Sequence, residues 1–425
     1  MLGFIRDKPG TQKSTNKTDS KVQKEQTQKD RVRDCIYGSL MAGAAGDALG
    51  YPVEFMSRNA ILSKYGSNGI TRFELDKNGK ALVSDDTQMT LFTINGMLMG
   101  ITRGFMRGIG GSPENYVEYA YMDWYYTQTG VKKSDSSGDD YVFTWLRDLP
   151  ELAHRRAPGT TCLNACESLI RGEHPQNNSK GCGGIMRVAP MGLLYAAYYT
   201  RNNIGIYDTA YLAQAGAKIA QATHLHPLGY LPAALLTLFI SKITPLTPDE
   251  VKASITSIVN DALNIMMEMD GDANAKDKEH LKRLTLKAME LARSDVKDPD
   301  AIRQLGEGWV AEEAWAISLY CAVRHIDSMR DAIIAAVNHD GDSDSTGAIT
   351  GNIMGAIYGY EAIKKERLFC PDGKEFEDTI ELANIIKALA EDLFNGCPIS
   401  EYAPIDTPEK QQWHARYCDM EPVGI

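Results

Sequence analysis

The chain has little of what would staple a protein, anchor it in a membrane or draw it to nucleic acid. Its eight cysteines (Cys35, Cys162, Cys166, Cys182, Cys321, Cys370, Cys397 and Cys418) are scattered, with neither the paired spacing of a zinc ribbon nor the density of a secreted disulfide scaffold. A reducing, cytoplasmic setting is expected. Long hydrophobic runs are absent: stretches such as Leu231 to Ile240 are far too short to cross a bilayer, and the N-terminus turns polar after one hydrophobic tripeptide. Neither a signal peptide nor a membrane partner is expected. Basic charge is scarce outside residues 1–34, which carry nine Lys/Arg against five Asp/Glu, while the rest carries 36 against 51. An acidic body excludes nucleic acid as the main partner and favours cations held by carboxylates.

Runs of alternating β-branched residues are also nearly absent, and no strand-helix-strand rhythm appears. Apolar residues recur instead at spacings of three and four through Met89–Met99, Tyr207–Ala222, Leu231–Ile240, Val251–Met267, Trp309–Val323, Asp331–Val337 and Thr379–Phe394. With 43% apolar residues, the pattern predicts one large all-α domain over residues 34–425. Residues 1–33, rich in Lys, Gln, Thr and Asn, are expected to be a mobile basic arm, and Asp270 to Glu279 a loop between helices. Two segments break the usual helix rules alike: Gly38, Ala42, Gly46 and Gly50 fall four apart, as do Gly347, Gly351, Gly355 and Gly359. Each interior glycine costs about 1 kcal/mol relative to alanine, so close helix approach is the expected compensation.

Two acidic clusters stand at predicted helix starts, Ser84-Asp85-Asp86-Thr87 and Asp340-Gly341-Asp342-Ser343-Asp344-Ser345-Thr346. Capping alone would explain one oxygen ligand at each, because Ser, Asp and Thr suit N-caps and acids suit the positive helix end. Five acidic side chains exceed that need, and their mutual repulsion calls for cations. All the candidate ligands are oxygens, so Mg²⁺ or Mn²⁺ is expected rather than zinc or copper, and two ions are the natural count. A calcium loop starting at Asp340 fails, because Ser345 occupies the glycine position and Gly351 the closing glutamate position.

Other motifs are weaker. Gly108-Ile109-Gly110-Gly111 lacks the strand and spacing of a dinucleotide fingerprint, and Gly181-Cys182-Gly183-Gly184 lacks the ending of a P-loop. His224 and His226 have no soft-ligand companions and suit a loop or pocket role. Cys162 and Cys166, one turn apart, read as packing residues.

Over residues 34–396 the sequence resembles the ADP-ribosylglycohydrolase family, on six blocks in order: Gly38–Phe55, Ser84–Thr90, Arg156–Ala165, Lys180–Met191, Thr223–Tyr230 and Val337–Gly359. The resemblance implies a compact orthogonal bundle of many helices with a dinuclear metal site in a central cleft. Ser84, Asp85 and Asp86 match the family's hydroxyl-Asp-Asp triplet, and Asp342, Asp344 and Ser345 its second cluster, with Asp344 bridging both ions. Serine replaces the commoner threonine at Ser84 and Ser345. Glu54 matches the acidic residue beside the metals that contacts an ion or activates water. Gly181, Gly183 and Gly184 match a loop whose backbone approaches ADP-ribose, and Gly159, Met186, Arg187 and His224 are candidate pocket neighbours. One departure concerns the base: Arg156-Ala157-Pro158-Gly159 stands where some members carry a catalytic aspartate in Phe-Asp-Ile-Gly.

The expected activity is therefore metal-assisted removal of ADP-ribose from a modified protein, with arginine favoured by the likeness to dinitrogenase reductase-activating members. Two rivals remain open. One is a two-metal phosphoesterase acting on a nucleotide. The other is an immunity protein that neutralises an ADP-ribosyltransferase toxin by contact through its basic arm.

Overall fold

The computed structural model describes residues 15–108, 112–130, 142–202, 208–271, 273–402 and 404–418. Eighteen α-helices occur among them. The first nine are α1 (Thr15–Gly50), α2 (Arg58–Tyr65), α3 (Asp85–Met106), α4 (Val117–Thr129), α5 (Thr160–Ile170), α6 (Ala189–Asn202), α7 (Thr209–Gln221), α8 (Pro227–Ile243) and α9 (Pro248–Glu268). The rest are α10 (Ala275–Leu291), α11 (Asp298–Leu305), α12 (Ala311–Arg324), α13 (Met329–Val337), α14 (Ser343–Tyr358), α15 (Tyr360–Glu366), α16 (Phe376–Thr379), α17 (Ala383–Asn395) and α18 (Pro408–Tyr417). Extended pairing among the described residues is confined to two isolated bridges, Ala81 with Ile380 and Gly181 with Val310. No helix among the described residues is long and apolar enough to cross a membrane.

The centre is α8, hydrophobic around its whole circumference and buried along nearly all its length, as a helix enclosed by others must be. It packs against α6, α7, α9 and α12. The amphipathic α9 shows how an end is fixed: Pro248 opens it, and Thr247 and Glu250 form a reciprocal capping box.

The most extensive helix pair is α1 with α14, and it joins the two glycine ladders. A Cβ on Gly355 would lie 2.1 Å from the Gly38 carbonyl oxygen, one on Gly351 2.0 Å from that of Ala42, and one on Gly347 2.5 Å from that of Gly46. The helices therefore run antiparallel with backbone against backbone. Ser39 Oγ donates to the Asn352 carbonyl and Asn352 Nδ2 returns a bond to the Ser39 carbonyl, at 2.8 and 2.9 Å. Asn352 Oδ1 is left buried without a hydrogen-bond partner there.

Two expectations are revised. The basic segment does not end at residue 33 as an arm: α1 begins at Thr15, and the boundary falls inside it. From Thr15 to Tyr37 there is no glycine or proline, and Gln, Lys and Arg are good helix formers. Val32 is fully buried and Arg31 donates to the carbonyls of Leu246 and Ile357, so tertiary contacts hold its C-terminal end. Residues 1–14 lie outside the described residues, as does Tyr207, the expected start of α7. The expected loop Asp270–Glu279 is also shorter, since α10 starts at Ala275. Lys278 explains this: its buried ammonium donates to the carbonyls of Met267, Met269 and Gly271 at the end of α9.

Gly351→Ala is expected to lower stability by about 1–3 kcal/mol through overpacking against the Ala42 carbonyl. Gly159→Ala, where an added Cβ meets nothing within 4 Å, should leave it unchanged. Denaturant titration of the two variants checks the pair.

Candidate active site

The register of α1 against α14 carries the C-terminal end of α1 to the N-terminal end of α14, where a Cβ on Gly50 would lie 2.3 Å from the Ser343 carbonyl. A third helix end joins them. Asp47, fully buried in α1, accepts hydrogen bonds from the Ser84 amide at 2.9 Å and the Thr87 amide at 3.1 Å, and from the Thr87 hydroxyl, which pins the start of α3. The two acidic clusters thus meet at the end of α1, with Glu54 just beyond it.

Capping is part of their role. Ser84 Oγ accepts from the Asp86 amide at 3.2 Å, and Asp342 Oδ1 from the Ser345 amide at 3.2 Å. The remaining acids of both clusters lie close enough to act on one another: the charge of Asp342 bears on Glu54, Asp85 and Asp86, and those of Asp86 and Glu54 on Asp344. Ser84, Asp85, Asp86, Asp342, Asp344, Ser345 and Glu54 are all between 0 and 8% exposed. Burial first, then the charges of Asp342, Asp85 and Asp47, raise the Glu54 carboxyl to about 8. Burial, then Asp47 and Asp342, likewise raise Asp85 to about 8, against the Gly159 amide that donates to its Oδ2 at 3.3 Å. Asp86 and Asp344 lie well above the usual carboxylate range for the same reasons.

Among the described residues, no three Asp, Glu, His or Cys side chains stand as a group that could hold a metal ion. Several carboxyl groups are engaged by protein donors instead. The Cys182 thiol donates to Asp342 Oδ2 at 2.7 Å, and the Ser345 amide to Asp344 Oδ1 at 2.9 Å. The donor chemistry nevertheless fits a hard cation. Asp86 Oδ2 and Glu54 Oε2 are buried without a hydrogen-bond partner, and a cluster of carboxyl groups held above their normal pKa is neutralised best by positive charge.

The glycine-rich loop crosses above this cluster. The Cys182 amide donates to the Trp309 carbonyl at 3.1 Å, and the Ala311 amide to the Lys180 carbonyl at 2.8 Å, tying the loop to the start of α12. Its glycines rest on His224: a Cβ on Gly181 would meet Nε2 at 3.2 Å, and one on Gly183 would meet Cε1 at 3.0 Å. Burial and the nearby Arg187 push His224 down to about 3, so the ring is neutral. Met186 and Arg187 are packed inside the protein. Both are buried beneath the loop, and the Arg187 guanidinium lies 4.3 Å from the Tyr121 ring centroid and donates to Thr223 Oγ1 at 2.6 Å, which in turn contacts His224 Nδ1 at 2.8 Å. Gly159 is exposed beside Asp85.

At the departure, Ala157 takes a left-handed φ of +49° and offers no carboxyl group. Arg156 turns away to pair with Glu381 at 2.7 Å, while its carbonyl accepts from the Asp85 amide at 2.9 Å. The segment therefore buttresses Asp85. Sequence reasoning did not single out Asp47 or Cys182, since an aspartate and a thiol inside small-residue runs carry no local mark. In the weak motif at Gly108, residues 109–111 lie outside the described residues.

Comparison with known proteins accords with this arrangement. The family model for ADP-ribosylglycohydrolase matches residues 25–400. Mouse (Mus musculus) ADP-ribosylhydrolase ARH3 is 27% identical over 240 residues, which cover 51% of this chain and 60% of that protein. The chain thus spans about 60% of the length of such curated relatives. ADP-ribosylarginine hydrolase Tri1 of Serratia proteamaculans is 38% identical over 81 residues, 19% of this chain and 20% of that one. A solved ADP-ribosylglycohydrolase-related protein complex superposes with a TM-score of 0.55 at 19% identity, over 86% of this chain and 99% of the other, a likeness of fold. With the family model spanning most of its length, the chain belongs to the ADP-ribosylglycohydrolase family.

Proposed function

We propose that this chain hydrolyses the glycosidic bond between ADP-ribose and a protein side chain, arginine above others, with two Mg²⁺ ions for which Mn²⁺ can substitute. The observation that carries the reading is the meeting of both acidic clusters with Glu54 around buried, unpartnered carboxylate oxygens. The arginine preference is supported by the segment shared with the relative named an ADP-ribosylarginine hydrolase. The eight free thiols suit a reducing cytoplasm.

Ser84, Asp85, Asp86, Asp342, Asp344 and Ser345 would hold the ions. Bound there, divalent cations would neutralise the carboxylates and orient ribose hydroxyls and water. Glu54 accepts the proton of the attacking water, as a buried carboxylate beside the cluster can once cations offset the charges of Asp342 and Asp85 that raise it. The glycines of the 181–184 loop let backbone amides approach the diphosphate, with His224 supporting them from below. Water adds to the anomeric carbon as the carbon–nitrogen bond breaks, through an oxocarbenium-like transition state that favours nearby negative charge, and the departing side-chain nitrogen takes up a proton that balances the one Glu54 gains. The products are free ADP-ribose and the unmodified side chain.

Asp344→Ala is expected to abolish release of ADP-ribose and to remove the rise in melting temperature that Mg²⁺ gives the wild type over chelator; unchanged turnover would sink the assignment. Glu54→Gln should reduce kcat on the order of 10²–10⁴-fold while leaving the affinity for ADP-ribose near wild type, as single-turnover and equilibrium binding measurements can establish. Chromatography of the products from arginine- and serine-linked substrates reads the chemistry directly. Intact ADP-ribose from the arginine conjugate is expected, whereas inorganic phosphate would mark a phosphoesterase.

A further inference from the structure

Among the described residues seven large hydrophobic side chains are exposed, and two of them, Phe55 at 76% and Trp309 at 37%, stack on each other. The centroids are 5.7 Å apart at an interplanar angle of 18°. Chain positions 254 residues apart thus supply one aromatic surface. Exposed aromatic rings are costly to leave in water, and a stacked pair with open edges is a common recognition surface for flat or cationic groups.

The location of the pair limits what it can receive. Phe55 follows Glu54 directly, so its Cα is about 3.8 Å from that of Glu54. Trp309 follows Gly308, at which an added Cβ would meet Asp342 Cβ at 3.4 Å, and its carbonyl is held by the Cys182 amide. Gly308 itself has a φ of +86° and its amide donates to the Glu313 carboxylate at 3.2 Å, so the segment that presents Trp309 is fixed. Both rings therefore border the acidic cluster, where the reacting ribose belongs. The group attached to that ribose on the far side from the diphosphate is the side chain to be released. The adenine lies at the opposite end of the ligand, beyond the diphosphate and a second sugar.

We infer that Phe55 and Trp309 form the wall that receives the leaving side chain, and that they select a planar guanidinium over a serine oxygen. This rests on the hydrolase reading given above. A guanidinium is flat, weakly hydrated and positively charged, so it stacks on aromatic faces and is drawn by the negative faces of the rings; a serine oxygen offers neither a plane nor a charge. The pair is thus a specificity device for the protein-side half of the substrate. It takes no part in the proton transfers.

The test uses the full chain with Mg²⁺, an ADP-ribosylated arginine peptide, an ADP-ribosylated serine peptide and free ADP-ribose. Phe55→Ala and Trp309→Ala should each raise KM for the arginine peptide about tenfold with kcat little changed, and Trp309→Tyr should restore most of the loss. Calorimetric affinity for free ADP-ribose should be the same in all four proteins, and melting curves confirm folding, which exposed positions tolerate. An equal loss of free ADP-ribose affinity would place the adenine on the rings and overturn the inference, as would an unchanged KM. Wild-type chain that cleaves only the serine peptide, or neither, would instead overturn the arginine reading on which the inference stands.

Discussion

The contact between α1 and α14 sets the geometry of everything functional in this protein. Because the two backbones touch at glycine, no side-chain layer can vary the distance or the register between them. A slip of one turn, about 5.4 Å along the axis, would break the reciprocal Ser39–Asn352 bonds and carry Asp47 and Glu54 away from Asp342 and Asp344. The glycine ladders are therefore best understood as a ruler. They trade helix propensity for a fixed separation between acids that lie some 300 residues apart in sequence, and packing of the long α1 against α14, α15 and α17 offsets that loss.

Electrostatics gives the same junction its second character. Seven acidic or hydroxyl residues are buried where two helices begin, and the positive ends of those helices and their backbone amides lessen the repulsion. They do not remove it, since Glu54, Asp85, Asp86 and Asp344 all remain held above their normal range. Asp47 has another status. Its burial raises it to about 6, but bonds from Thr87 and Ser84 occupy it, so it acts as a cap borrowed by α3 from α1. One acid thus orders the others without joining them.

Much of this is legible in the sequence because periodicity and cap chemistry are local. The helical runs, both glycine ladders and the acidic clusters at helix starts carry their signal within a few residues. What is not legible is set by distant partners. Asp47 sits among small residues at an ordinary helical position, and only the fold turns it toward α3. Residues 15–33 resemble solvated tail by composition, yet Val32 and Arg31 find the far side of the molecule. Lys278 looks like part of a polar loop until the open carbonyls of α9 are set beside it. The burial of Arg187 against Tyr121 likewise depends on helix packing that spacing alone does not encode.

The antiparallel union of α1 and α14 also has a temporal meaning. The partner of the first helix is near the end of the chain, so during synthesis α1 emerges long before the surface that completes it exists. Contacts of such sequence separation form late and slow folding, because a long loop must close before they reward it. The site is consequently a product of the finished chain. A polypeptide halted before residue 340 holds one acidic cluster and half of a glycine seam, and its exposed small-residue stripe is the surface a chaperone would need to shield.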